Sequence, residues 1–184
     1  KRERPNVKII IGGPHITTLP ESLDPIFDFG LIGEGQKTIV ELIEKIRGNK
    51  NINKINGLVY FKNKKLVINK KKEDLEDIND IFPLDYSLLN RGYFKKKFIP
   101  ELFKFGVSMG IMTSIGCPFN CRFCSIRVCW KNIRFRKIDN VIEEIKDIYY
   151  NYKVRHIDLL DDLFSINRPR IIEFREKLRQ SGLL

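Results

Sequence analysis

An α/β fold follows from three features of the sequence. Short β-branched runs closed by glycine alternate with segments whose apolar residues fall at helical spacing, the pattern of strands and helices in one sheet. Two of these strand–turn–helix patterns flank a hairpin-like stretch. A cluster of cysteines, Cys117, Cys121 and Cys124, directly follows a third apolar run. Open α/β sheets bind ligands outside the carboxyl ends of their strands, so a cysteine loop in that position predicts an active-site rim.

In chain order, residues 7–11 (V-K-I-I-I) read as a buried parallel strand ending at Gly12-Gly13-Pro14. The polar stretch T-L-P-E-S-L-D-P predicts a short capped helix, with Glu21 and Asp24 in its first turn. Residues 27–32 (F-D-F-G-L-I) form the next expected strand, closed by Gly33-Glu34-Gly35. From Gln36 to Arg47 the residues Ile39, Val40, Leu42, Ile43 and Ile46 keep helical spacing, and Gly48 supplies the stop. Residues 57–61 and 65–68 flank K-N-K and predict a hairpin that extends or covers the sheet.

The acidic region 73–90, broken by Pro83, reads as a linker, and residues 91–105, with Lys95-Lys96-Lys97 among Tyr93 and Phe94, as an amphipathic approach to the next strand. Residues 107–115 (V-S-M-G-I-M-T-S-I) predict that strand. After the cysteine loop, Asp139 is the expected N-cap of a helix whose apolar face carries Val141, Ile142, Ile145, Ile148 and Tyr149. Residues 154–160 form a further expected strand, ending in Asp161-Asp162-Leu163-Phe164. A last helix, residues 169–180, places Ile171, Ile172, Phe174 and Leu178 on its apolar side. His156, inside a strand pattern, reads as a core or cross-strand residue.

Composition bounds the function. The 184 residues, 42% hydrophobic, suffice for one or two domains with real cores. No run reaches membrane-span length, and the start K-R-E-R-P has no signal-peptide pattern, so a cytoplasmic protein is expected. In a reducing compartment, clustered cysteines favour metal or catalytic use over disulfides. The net charge of +11 is mostly lysine in polar runs, and without a recognised binding motif these read as solvated loops; nucleic acid is not the expected partner.

Cysteine thiolates at short fixed spacings hold iron–sulfur clusters, and Gly116, Pro118 and Asn120 let the backbone loop around one. The motif C-P-F-N-C-R-F-C, a C-x3-C-x2-C loop with an aromatic before its last cysteine, resembles the signature of the radical S-adenosylmethionine (radical SAM) enzymes. The resemblance implies that Cys117, Cys121 and Cys124 ligate three irons of a [4Fe–4S] cluster, with the fourth iron open to S-adenosylmethionine. Phe123 would pack near the cluster or the adenine, and Asp161 and Asp162 would help hold the cofactor's amino group. Two readings of Cys129 stand, a packed thiol or a fourth ligand that would make the cluster an electron carrier. Arg134 and Arg136 match a subfamily R-x-R whose role is unassigned, solvated charge being the default reading.

The pair G-G-P-H and G-E-G-Q-K-T is similar to the second half of the cobalamin-binding domain that precedes the radical SAM domain in a large subfamily. By that resemblance Gly12, Gly13, Gly33, Glu34 and Gly35 would edge the cleft for the nucleotide tail. The family's D-x-H-x-x-G loop, whose His ligates cobalt, has no counterpart here, and His15 reads as a turn residue. The implied architecture is the C-terminal half of a flavodoxin-like, cobalamin-binding-type open sheet in residues 1–72, a linker in 73–106, and the first two βα units of a partial TIM-type radical SAM barrel in 107–184. The chain thus reads as a fragment. The implied function is [4Fe–4S]-dependent reductive cleavage of S-adenosylmethionine to a 5′-deoxyadenosyl radical, serving cobalamin-linked methyl transfer or another radical modification of an unknown substrate. A reducing donor such as ferredoxin or flavodoxin would supply the electron. The alternatives are a ferredoxin-like electron carrier and a structural zinc module; zinc usually takes paired C-x-x-C knuckles, and one C-x2-C is present.

Overall fold

The computed structural model describes residues 4, 6–71, 77–80, 84–90, 108–130 and 132–183. The expected approach segment 91–105, Pro83 and the start of the strand at Val107 lie outside them. The chain forms two compact units, Lys1–Leu75 with Cys121–Trp130, and Glu76–Asn120 with Lys131–Leu184.

The first unit is a four-stranded mixed sheet in the order β1 (Ile10–Ile11), β2 (Phe29–Leu31), β3 (Leu58–Lys62), β4 (Lys65–Ile68). β1 and β2 are parallel, and the other neighbours are antiparallel. The hairpin therefore extends the sheet. Its loop is Asn63-Lys64, both at positive φ, the backbone pair that a two-residue hairpin turn with native twist requires. Strand alternation sorts the side chains into two cores. Phe29, Leu31, Leu58 and Tyr60 pack with Leu42 of α2 (Gln36–Arg47), while Val59 packs on the other face with Ile16 and Leu23. Ile16 belongs to a short helix, α1 (Pro14–Thr18), where the glycine–proline sequence predicts only a turn; the expected helix beyond it is a single 3-10 turn, Pro20–Ser22. On α2 the inward residues are Ile39, Leu42 and Ile46, whereas Val40 and Ile43 are exposed. α3 (Ile126–Cys129) packs against α1 in this unit.

In the second unit, β5 (Ser108–Ile111) and β8 (His156–Leu159) are parallel neighbours, joined through α4 (Ile138–Tyr152), and α5 (Arg168–Gln180) follows β8. Their core combines Met109, Ile111, Val141, Ile145, Ile148 and Val154 with Tyr86, and Phe174 and Leu178 of α5 pack against it. Each fully buried aliphatic side chain of this kind contributes about 1.5–3 kcal/mol.

Four expectations are corrected here. The single strand over 107–115 breaks after Ile111: β6 (Ser114–Ile115) pairs antiparallel with β7 (Arg134–Phe135). The break falls at Thr113, whose N–H is taken by Asp161 and whose carbonyl accepts from the backbone N–H of Arg136, continuing the β6–β7 ladder, and from the Arg170 guanidinium. Asp139 is not the N-cap of α4. Lys137 stands there, its N–H given to Asn79 Oδ1, and Asp139 lies in the first turn, 2.6 Å from Lys177 Nζ, where a carboxylate still complements the helix dipole. Arg136 is not solvated; it is among the most buried side chains of the molecule. Ile172 also points outward from α5, leaving Phe174 and Leu178 to make its core contacts. Among the described residues no helix is long and apolar enough to cross a membrane.

Candidate functional site

In the first unit, the parallel pairing of β1 and β2 makes the two glycine turns leave the same edge of the sheet. Gly13 (φ +97°) and Gly33 (φ +71°) hold backbone conformations that favour glycine. Thr17, which the sequence reading passed over, ties the turns together: its hydroxyl donates to the Gly13 carbonyl at 2.8 Å and accepts from the Gly33 N–H at 2.8 Å. Gly12 is exposed, and Glu34 and Gly35 are half-buried. The flexible end of Lys71 lies over Gly33, so that a Cβ there would fall 1.8 Å from its Nζ. An open, backbone-lined edge of this kind suits a bulky ligand. His15 is exposed on α1, its Nε2 2.8 Å from Ser22 Oγ.

The second unit supplies the segment that enters the cysteine loop. Thr113 and Ser114 are buried, and Asp161, at the end of the parallel neighbour β8, gathers them. Its carboxylate accepts from Thr113 N, Thr113 Oγ1 and Ser114 Oγ, each at 2.6 Å. Asp162 is exposed and accepts from Gly116 N at 3.2 Å. Gly116 itself has φ +92°, the turn that leads into Cys117.

A buried polar network lies behind this segment. Arg136 Nη1 donates to the Met112 carbonyl at 2.8 Å and pairs with Glu144 Oε2 at 2.5 Å; Tyr86 Oη donates to Glu144 Oε1 at 2.5 Å. Arg170 donates from Nη2 to the carbonyls of Thr113 (2.9 Å) and Arg136 (3.2 Å), and from Nη1 to Thr113 Oγ1 (3.1 Å). Its guanidinium also lies 5.2 Å from the centre of the Phe135 ring. Burial pushes the Arg170 pKa down from its ordinary value, and Asp161 opposes that shift. Burial and the Glu144 carboxylate together push the Tyr86 phenol up. Of these residues the sequence reading had placed only Asp161 at a site; Glu144, on the apolar face of α4, was the available signal, because a carboxylate at a core position needs a buried partner.

All four cysteines are free thiols, Cys117 and Cys129 half-buried and Cys121 and Cys124 exposed. Cys124 N donates to the Cys121 carbonyl at 3.1 Å, a turn that brings this pair into one loop. Three unpaired thiols within eight residues are the donor set an iron–sulfur cluster takes. Among the described residues no three His, Cys, Asp or Glu side chains are already gathered around a metal-sized space. Phe123 is 94% exposed. Cys129 closes α3.

Comparison with known proteins extends this picture. No family model matches the chain. An uncharacterized methyltransferase of Pyrococcus horikoshii is 35% identical over 97% of this chain and 38% of its own length. Anaerobic magnesium-protoporphyrin IX monomethyl ester cyclases are 30% identical in Rubrivivax gelatinosus, over 100% of this chain and 34% of that protein, and 28% identical in Cereibacter sphaeroides, over 97% and 29%. The chain thus spans about a third of the length of the curated relatives it matches. Among solved structures, the radical S-adenosylmethionine methyltransferase TsrM of Kitasatospora setae, with tryptophan and a SAM analogue bound, superposes with a TM-score of 0.73 at 19% identity, over 98% of this chain and 35% of that one. The cobalamin-dependent S-adenosylmethionine radical enzyme OxsB, with aqua-cobalamin and S-adenosylmethionine bound, gives 0.70 at 19% identity, over 94% and 24%. The α/β fold, with its mixed sheet, is the one those regions share. Over nearly its whole length the chain is thus similar to segments of methyltransferases and cyclases, and it shares the fold of the corresponding segments of TsrM and OxsB.

Proposed function

We propose that this chain is the cluster-bearing segment of a radical SAM enzyme that transfers a methyl group or carries out a related radical modification. The observation that carries the reading is the position of C-x3-C-x2-C directly after a strand whose parallel neighbour ends in two aspartates bonded to the segment between strand and loop. In this reading the first unit is the second half of a flavodoxin-like cobalamin-binding domain (1–72), a linker covers 73–106, and residues 107–184 begin a partial barrel.

Cys117, Cys121 and Cys124 would hold a [4Fe–4S] cluster that binds S-adenosylmethionine. Bound together, these groups supply reductive cleavage of a sulfonium by one electron from a donor such as ferredoxin or flavodoxin, and cobalamin supplies a methyl carrier. The chain's own residues bind and orient. Asp162 offers a carboxylate at the strand's end for the cofactor's ammonium. Asp161 stands beside it and holds the loop's entry in place through the bonds it already accepts. Phe123, exposed beside Cys124, is free to pack on the cluster or the adenine. Gly12, Gly13, Gly33, Glu34 and Gly35 border the nucleotide tail of cobalamin. A ferredoxin-like carrier with Cys129 as fourth ligand, or a zinc module, receives no support from relatives that are methyltransferases and cyclases.

The test is S-adenosylmethionine cleavage by the reduced, cluster-loaded protein, read as 5′-deoxyadenosine and methionine. Product is expected from the wild type and is lost in Cys117→Ser; no product from a cluster-replete wild type counts against the reading. Asp162→Asn is expected to keep the cluster and weaken cofactor binding about ten- to a hundredfold, the scale of one charge-assisted hydrogen bond.

A further inference from the structure

The segment between β5 and the first cysteine is held by two buried arginines that the function above leaves without a role. Arg136, 1% exposed, and Arg170, 7% exposed, come from different places in the chain, one following β7 and the other in the first turn of α5. Their guanidinium groups converge on the adjacent residues Met112 and Thr113, Arg136 on the carbonyl of the first and Arg170 on the second, while the backbone N–H of Arg136 continues the β6–β7 ladder onto Thr113. The Thr113 carbonyl accepts from Arg136 N at 3.0 Å and from Arg170 Nη2 at 2.9 Å. Their charges are balanced by Glu144 and Asp161, and Tyr86 fixes Glu144 from the far side.

Burying two guanidinium groups is an expensive way to fill space, since well-packed apolar residues of similar volume are often as stabilising or more so. What the arginines add is direction: the planar fork of Arg170 fixes the carbonyls of Thr113 and Arg136 together with Thr113 Oγ1, and Arg136 Nη1 fixes the Met112 carbonyl, which neither a lysine nor an apolar side chain does. We infer that Arg136 and Arg170 are positioning residues that set the path of residues 112–116 and thereby the presentation of Cys117. The inference rests on Cys117 being a cluster ligand. Neither arginine is placed against the reacting atoms; they act through Met112 and Thr113, with Tyr86 and Glu144 holding Arg136 in register.

The experiment separates this from a merely structural role and from failure of the cluster reading. In the metal-free protein, alkylation of each cysteine by iodoacetamide is followed by peptide mass spectrometry, with Cys129 as internal reference. Arg170→Lys keeps the charge and removes the fork; Tyr86→Phe keeps the packed ring and removes the hydroxyl. In both, Cys117 is expected to react roughly five-fold faster relative to Cys129, the scale of one lost hydrogen bond. The reconstituted variants are expected to hold as much iron as the wild type with displaced g-values in the reduced electron paramagnetic resonance spectrum. An unchanged Cys117 rate, or equal acceleration of Cys117 and Cys129, overturns the proposal, as do wild-type g-values at full iron content. Should Arg170→Lys fail to fold, Tyr86→Phe decides alone. A wild type that takes up no iron refutes the cluster reading, while the alkylation rates still judge the positioning.

Discussion

Glu144 and Arg136 form the ion pair on which the second unit's interior depends, because both side chains are almost entirely removed from water. Replacing Arg136 by Met leaves a buried carboxylate without its counter-charge, and urea unfolding should show a loss of about 3–5 kcal/mol. Tyr86 gives a gentler and pH-dependent signature. Its phenol is held above the ordinary value of 10.0, so the folded state binds that proton more tightly than the unfolded chain. The associated stability is complete below pH 10 and is lost as pH rises beyond it. Tyr86→Phe should therefore flatten the alkaline fall of stability, as followed by circular dichroism; an unchanged alkaline limb contradicts this. Asp161 is a further case. Asp161→Asn leaves one acceptor oxygen where two accept from Thr113 N, Thr113 Oγ1 and Ser114 Oγ, and a cost of about 1–3 kcal/mol is expected in the same unfolding assay.

At the level of elements, two backbone positions carry clear expectations. Lys153 terminates α4 at φ +60°, a conformation that glycine adopts without strain; Lys153→Gly should raise the unfolding free energy read from urea curves by about 0.5–1 kcal/mol. Gly30, in the centre of β2, has no room for a methyl group: a Cβ would lie 3.1 Å from Ile16 Cγ2 and 3.3 Å from both Leu23 Cδ1 and Val59 Cβ. Gly30→Ala should then cost about 1–3 kcal/mol by overpacking, read from the same curves. α2 was legible to its ends, because a helical run of Ile and Leu followed by Gly48 carries its stop in local sequence, but its face was legible only in part, since Val40 and Ile43 fit the helical spacing and yet are exposed. So was the hairpin, whose strands are separated by a short polar loop. The break at Thr113 was not legible. It is imposed by Asp161 and Arg170, which are 48 and 57 residues away and leave no mark on the local pattern of apolar residues. Asp139 misled for a related reason: Asn79, from a distant segment, took over the capping that a local reading assigned to it.

Across the whole molecule, the C-x3-C-x2-C spacing is visible in the sequence itself, whereas the polar network around Thr113 is not. Arg136 and Glu144 look like ordinary charges of a basic chain and reveal their burial only when α4 and the segment preceding it are packed. Thr17 was hidden in the same way, since nothing local says that its hydroxyl will join two glycine turns. The central claim is that Cys117, Cys121 and Cys124, and not Cys129, hold the metal. The most direct measurement is the iron and acid-labile sulfide content of the anaerobically reconstituted protein and of the four single Cys→Ser variants. About four irons and four sulfides per chain are expected in the wild type and in Cys129→Ser, with loss in the other three variants. Loss of the cluster in Cys129→Ser, or tight zinc binding without sulfide, would contradict the account.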